Sequence, residues 1–314
     1  MEKCYAVISQ KGGVGKTTTS VALATGLARR KKKTLLIDLD QQGDSTHISN
    51  IAPELISYTV SDVINKKCTP QDAIQKTAAG YDIIPTTDNG LAELTFEVKL
   101  KAPIKKIVSI VAGDYDYVIL DCPPNIYNIT TEALIAADEV VFTGLSDSLS
   151  IRSFNNLMES IADVRDMKNK KLHMAGILLT KYDQRRKNLN NAARNDYQIL
   201  ADTYGTKIFE TVIPESVTIC EAWWRRESIY EYIDDAKGNA NAAILAYDKW
   251  ITELTGVKSK EGKKSGKAET GAAGIRIKSR RSGNPKNGRR ATRTRGKGRP
   301  TASRKKESQV KLSL

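Results

Sequence analysis

Soft metal ligands are scarce in this chain. Its 314 residues hold 2 histidines and 4 cysteines. Cys4, Cys68, Cys122 and Cys220 show no CxxC spacing, which suits reduced thiols rather than a disulfide or zinc framework. His47 and His173 have no ligand-like companions, so ordinary polar packing is expected of them and a transition-metal site is not. Long apolar runs are missing as well. No stretch of about 18 apolar residues exists, so no transmembrane helix is expected. The N-terminus enters a strand-like run almost at once, which leaves no signal peptide to expect. Aromatics are few, at 6%, and residues 257–314 contain none.

Charge is present but unevenly placed. The formal net charge is +14. Residues 257–314 carry 20 Lys and Arg against 3 Asp and Glu, a net of +17, which leaves a net of −3 on residues 1–256. The first 256 residues therefore read as a mildly acidic α/β domain, and the remainder as a basic tail. Lys, Arg, Gly, Ser, Thr and Ala dominate that tail, which cannot bury enough apolar surface to offset its ordering entropy; it is expected to be disordered.

Within the body, strand-like runs recur with helical stretches between them, the pattern of a doubly wound, mostly parallel sheet. Strands are expected at Tyr5–Ser9, Thr34–Leu39, Tyr81–Pro85, Tyr117–Asp121, Glu139–Thr143 and Ala175–Thr180, with a short one near Lys207–Thr211. Helical periodicity marks Thr18–Arg30, Thr130–Ala137, Ser153–Met167, Leu189–Tyr204 and Ala240–Thr255. Val118-Ile119-Leu120 and Gly176-Ile177-Leu178-Leu179 are continuous apolar runs, as parallel strands covered on both faces require.

Between the first strand and the first helix lies Gln10-Lys11-Gly12-Gly13-Val14-Gly15-Lys16-Thr17-Thr18. Strand, glycine-rich loop and helix together form the context of a phosphate-binding P-loop. The glycines let backbone N–H groups turn inward around phosphate oxygens, and the helix N-terminus adds a favourable dipole. Lys16 is placed to reach the β- and γ-phosphates, and the Thr17 hydroxyl to ligate Mg²⁺. The usual pattern opens on glycine, whereas this chain has Gln10 followed by a second lysine, Lys11.

Carboxylates end two buried strands. Asp38 and Asp40 lie in Ile37-Asp38-Leu39-Asp40-Gln41-Gln42-Gly43, and Asp121 closes Tyr117-Val118-Ile119-Leu120-Asp121-Cys122-Pro123-Pro124. Ligands of open α/β sheets bind beyond the C-terminal ends of the strands. One strand-end aspartate is more often a loop cap. Several beside a P-loop reverse those odds.

With these residues on the page, the chain closely resembles the ParA/Soj/MinD group of deviant Walker A ATPases. The resemblance continues through Thr131-Glu132-Ala133-Leu134, Thr180-Lys181-Tyr182-Asp183 and Ile213-Pro214-Glu215, and covers roughly residues 3–256. It implies a P-loop ATPase in which two protomers sandwich two ATP molecules with Mg²⁺. In that arrangement Lys11 reaches the partner's phosphates and works like an arginine finger. Lys16 and Asp40 are the other catalytic residues, Asp40 positioning the attacking water. Gly12, Gly13, Val14, Gly15, Lys16, Thr17 and Thr18 cradle the nucleotide, with Thr18 on the α-phosphate. Thr180, Lys181, Ile213, Pro214 and Glu215 correspond to segments around the adenine. Thr17, Asp38 and Asp121 belong to the Mg²⁺ sphere.

Within the group, Gln42-Gly43-Asp44-Ser45-Thr46 and the Ile213-Pro214 segment favour ParA/Soj over MinD, whose membrane-binding terminal helix has no counterpart here. The implied protein is a bacterial, cytoplasmic, nucleoid-associated homodimer. It binds double-stranded DNA without sequence preference and partitions a plasmid, chromosome or mobile element with a ParB-like adaptor. The alternative is a positioning ATPase for a protein complex or conjugation machinery; a MinD-like membrane-surface ATPase is the third reading.

One departure concerns DNA. Family members often read Pro-Arg-Asn-Val-Arg where this chain has Pro214-Glu215-Ser216-Val217-Thr218. Arg185, Arg186, Arg225 and Arg226 are the remaining body candidates, although a solvated face is the commoner role of surface arginines. In the tail, Arg289, Arg290, Arg293, Arg295 and Arg299 make a cationic arm suited to backbone phosphates. A merely solubilising tail, or one that binds RNA or acidic lipid, has the same electrostatics. Trp223-Trp224 reads as a packing element, though one ring of two adjacent residues can be left exposed.

Overall fold

The structure is a computed structural model and describes residues 1–87, 91, 102–124, 128–235 and 242–259. All of these fall in one compact unit, Met1–Gly262. Its centre is a seven-stranded sheet in the order β3-β4-β2-β5-β1-β6-β7. The strands are β1 (Lys3–Ile8), β2 (Thr34–Asp38), β3 (Gln75–Lys76), β4 (Asp82–Ile84), β5 (Tyr117–Asp121), β6 (Glu139–Gly144) and β7 (His173–Leu179). Every pairing is parallel except that of the two-residue edge strand β3 with β4.

Parallel strands need helical crossovers, and these cover both faces. The described helices are α1 (Lys16–Arg29), α2 (Asp44–Ile48), α3 (Val60–Ile64), α4 (Pro70–Ala73), α5 (Pro103–Val111), α6 (Asn128–Ala136), α7 (Ser148–Met167), α8 (Lys187–Tyr204), α9 (Val217–Trp224), α10 (Ile229–Asp235) and α11 (Ala242–Thr255). Strand alternation sorts the apolar side chains into two cores. Cys4, Ala6, Ile8, Val118 and Leu120 face a core shared with α5–α8. Tyr5, Val7, Tyr117 and Ile119 face the other, filled by α1 and α11.

The doubly wound sheet expected from the sequence is the observed fold. Three local differences have physical reasons. First, the segment near Lys207–Thr211 makes only an isolated parallel bridge, Ile177 with Ile208. Its hydrogen bonds to β7, Ile177 N–H to Lys207 O and Phe209 N–H to Ile177 O, do not extend into a ladder. Second, α5 was not anticipated although Ile104, Ile107, Val108 and Val111 form a buried stripe at helical spacing behind Pro103 at the first turn. Third, α3 and α4 are too short for periodicity to reveal. They are held by capping boxes, Thr59 with Asp62 and Thr69 with Asp72.

Helix α1 sits between the sheet and α11, and most of its residues are buried. Gly26 permits the close approach: a methyl there would overlap Ile251 Cδ1. The buried Arg30 guanidinium ties the ends together, donating to Gly26 O (2.8 Å), Asp248 Oδ1 (2.8 Å), Asp248 O (3.1 Å) and Val257 O (3.1 Å). Chain order reverses about β1, whose neighbours are β5 and β6. Such a switch point opens a crevice at the strand C-termini. Loop 9–15 stands there. The basic tail beyond Ser259, with Arg289, Arg290, Arg293, Arg295 and Arg299, lies outside the described residues.

Candidate functional site

The loop between β1 and α1 takes a shape that only glycine adopts freely. Gly13 (φ 70°) and Gly15 (φ 84°) are left-handed, and Gly15 is the N-cap of α1. No side chain caps that helix and no acidic residue occupies its first turn. Its leading N–H groups and the positive end of its dipole therefore face the crevice. A cavity of about 650 Å³ opens there, lined by Gly12, Gly13, Gly15, Lys16, Thr17, Thr18, Asp40, Gln42, Asp44 and Lys181, and on the far side by α9. That volume lies in the range of small-molecule sites.

Lys16 is 6% exposed, and its ammonium donates to Lys11 O at 3.4 Å. Burial pulls its pKa down, while the charges of Asp121 and Asp40 push it up. Asp40 has left the strand and points into the cavity, where burial raises its pKa against a hydrogen bond from Gln42 N–H. Asp44, also on the lining, is raised by burial and by the neighbouring Asp40.

Behind this lining lies a carboxylate pair. Asp38 and Asp121 end adjacent strands in register, and both are fully buried. Asp38 accepts from Thr46 N–H (2.9 Å), the Thr46 hydroxyl (2.7 Å) and Asp40 N–H (3.2 Å). Asp121 accepts from the hydroxyls of Ser20 (2.8 Å), Ser45 and Thr17. Burial pushes the Asp121 pKa up to about 6 against those donors. Burial, then the adjacent Asp121 charge, pushes Asp38 well above the usual carboxylate range. Two like charges side by side in low dielectric favour a proton or a cation nearby.

Thr17, Asp38 and Asp121 are hard oxygen donors, the kind Mg²⁺ takes. Among the described residues no group of three or more His, Cys, Asp or Glu side chains could hold a metal alone. This suits an ion that keeps waters and shares its sphere with phosphate oxygens. The fit is therefore to Mg²⁺ carried with a polyphosphate, not to a protein cage.

The other expected site residues fall in distinct places. Lys11 is not on the cavity lining; its ammonium pairs with Asp147 at 2.6 Å on the outside. Val14 and Thr180 are buried under the loop, the Thr180 hydroxyl donating to Val14 O at 2.6 Å. Ile213 is buried, donating its N–H to Leu179 O at 2.8 Å, and Glu215 lines a smaller neighbouring cavity with Asp147 and Lys181. Pro214 is half-buried and bridges Tyr182. Of the adenine candidates, only Lys181 lines the main cavity. What the sequence reading missed is α9: Ile219, Cys220, Trp223 and Trp224 complete the wall. The adjacent tryptophans were the available signal.

Of the body arginines, Arg185 forks onto Asp183 (2.9 and 3.0 Å) and Arg186 approaches the same carboxylate at 3.4 Å. Arg225 stacks over the Tyr232 ring at 5.3 Å. Arg226 is exposed beside it. None of the four lines the cavity.

A family model described as an AAA domain matches residues 2–174. The chain is 32% identical over 242 residues to the sporulation initiation inhibitor protein Soj of Bacillus subtilis, a match that covers 76% of this chain and 94% of that protein. It is 34% identical over 229 residues to the chromosome partitioning protein ParA of Caulobacter vibrioides, covering 70% and 83%. Among solved structures, cobyrinic acid a,c-diamide synthase of Mycobacterium smegmatis with bound ADP and magnesium superposes with a TM-score of 0.64 at 26% identity, covering 82% of this chain and 98% of that one.

Proposed function

The chain belongs to the ParA/Soj family of P-loop ATPases, and from that premise we propose that it is an ATP- and Mg²⁺-dependent switch that partitions DNA. The observation that carries this reading is the division of labour between two lysines. Lys16 is buried on the cavity wall; Lys11 stands outside it, half-exposed and held by Asp147. A cation so placed serves its own protomer's nucleotide poorly and a facing protomer's well. ATP binding then drives homodimerisation, each Lys11 leaving Asp147 for the partner's phosphates.

Within one protomer, the N–H groups of Gly12–Thr18 and the Lys16 ammonium hold the phosphates. Thr17 on the lining would hold Mg²⁺ carried with the nucleotide, with the buried Asp38–Asp121 pair behind it, and the ion would supply positive charge against the phosphates; Asp40, on the lining, orients the attacking water. Burial raises both pKa values, and at Asp38 the neighbouring Asp121 charge adds to it, so a cation nearby favours the ionised pair.

The dimer binds double-stranded DNA without sequence preference in the cytoplasm, on the nucleoid. A ParB-like adaptor stimulates hydrolysis and releases it. Asp183 already offsets the charge of Arg185 and Arg186. We therefore assign the larger share of phosphate contacts to residues 257–314, with their net charge of +17. Salt-titrated DNA binding with ATP, ADP or neither tests the reading. Lys16→Ala and Lys11→Ala should each abolish the ATP-dependent component; its survival in both sinks the switch. Deleting residues 257–314 should weaken binding and flatten its salt dependence, and unchanged binding returns the grip to the body.

A further inference from the structure

Helix α9 is built like a wall, not a strut. Ala222, 1% exposed, faces the core, with Ile219 and Trp223 packed beside it. Cys220 and Trp224, four residues apart, share the other face and both line the cavity. Trp224 is 89% exposed, an extreme for so large and apolar a side chain. Burying such a ring offers affinity to whatever covers it.

Trp223 is fixed instead. Its indole Nε1–H donates to Thr18 Oγ1 at 3.1 Å. Because an indole only donates, the Thr18 hydroxyl must accept, and its own proton is left to point elsewhere. The neighbouring space is the cavity, where Thr18 is on the lining. A chain of donors, indole to hydroxyl to phosphate oxygen, strengthens each link.

We propose that Trp223 and Trp224 form the nucleobase-recognition wall of this site: the Trp224 ring stacks on the base, and Trp223 orients Thr18 toward the α-phosphate. Three observations converge on it. One cavity runs unbroken from the phosphate loop to α9. The phosphate end is polar and charged, with Lys16, Asp40 and Asp44, while the α9 end presents Ile219, Cys220 and two indoles. Of the five residues expected around the base, only Lys181 reaches the cavity, and apart from Trp223 and Trp224 the one aromatic ring on the described lining is His47 of α2. The proposal rests on the ATPase reading and adds the residue that tells a nucleotide from bare polyphosphate.

The test is calorimetric titration of the full chain with Mg²⁺-ATP and with Mg²⁺-tripolyphosphate. Base–aromatic stacking predicts that Trp224→Ala weakens ATP binding about tenfold and leaves tripolyphosphate binding unchanged. Trp224→Phe keeps most of the ATP affinity. Trp223→Phe removes the indole N–H and weakens both ligands together, since it acts through Thr18 on phosphate. Because Trp224 is exposed, its truncation leaves the core intact. ATP binding unaffected by Trp224→Ala, or ATP and tripolyphosphate lost in parallel, overturns the stacking role and points to a protein partner for the ring. A native chain that binds neither ligand overturns the nucleotide reading itself.

Discussion

Replacing Asp121 with asparagine separates what this site does for folding from what it does for function. Asp121 is fully buried against Asp38 in the adjacent strand register, and its pKa is raised from 3.8 to about 6. The folded state therefore holds this proton more tightly than the unfolded chain does. The resulting stability is fully present below about pH 4 and is lost as pH rises through about 6. At about 1.4 kcal/mol per unit of displacement, the loss reaches a ceiling of about 3 kcal/mol. Asparagine removes the titration and relieves the charge on Asp38. It also brings one amide N–H₂ where Ser20, Ser45 and Thr17 donate, so a hydroxyl must reverse at a cost of about 1 kcal/mol. The net expectation is a variant more stable than the native chain by about 1–2 kcal/mol at pH 8 and no more stable at pH 4.5. Urea unfolding in EDTA, without nucleotide, at both pH values measures it. A variant destabilised at pH 8, or a gain independent of pH, would falsify the reasoning. The same substitution should abolish Mg²⁺-dependent ATP turnover, the usual exchange of activity for stability at a strained site.

Three further expectations follow from the packing. Arg30→Met removes four hydrogen bonds and the buried partner of Asp248, which keeps the Tyr230 hydroxyl at 3.1 Å; a loss of about 2–4 kcal/mol is expected in urea unfolding, and less than about 1 kcal/mol makes the clamp redundant. Gly26→Ala should cost about 1–3 kcal/mol through the clash with Ile251 Cδ1, and Ile251→Val, which lacks that atom, should recover part of it; a purely additive double variant excludes the contact. Glu132 is 4% exposed with its pKa raised to about 7 by burial, so its stability contribution fades as pH rises from 4.5 through 7. Glu132→Gln should gain on the native chain above pH 7 and match it near pH 5, read by thermal unfolding; equal melting at both counts against the burial argument.

Local chemistry explains which parts were legible in the chain. The strands that carry Asp38 and Asp121 are continuous apolar runs because helices cover both faces, and such runs need no partner to be recognised. The phosphate loop was equally plain, because left-handed backbone at Gly13 and Gly15 leaves glycine as the free choice. Short elements were not: α3 and α4 depend on single capping boxes, and no period can develop over so few residues. α5 carried its stripe in the open and could have been read. The segment near Lys207–Thr211 has strand composition but only an isolated bridge, because ladder formation is settled by the neighbour, not the segment.

What the sequence by itself determined is the phosphate chemistry: the loop, Lys16 with Thr17, and the carboxylates that close two strands. These are contiguous motifs, and the role expected of each rests on the residues beside it. Only the tertiary structure decided where the second lysine stands and what walls the far end of the cavity. Lys11 meets Asp147 across 136 residues of chain. Trp223 meets Thr18 across 205. Contacts of that separation leave no local trace, since no period or spacing along the chain encodes them; they exist only once the sheet has brought its crossovers together.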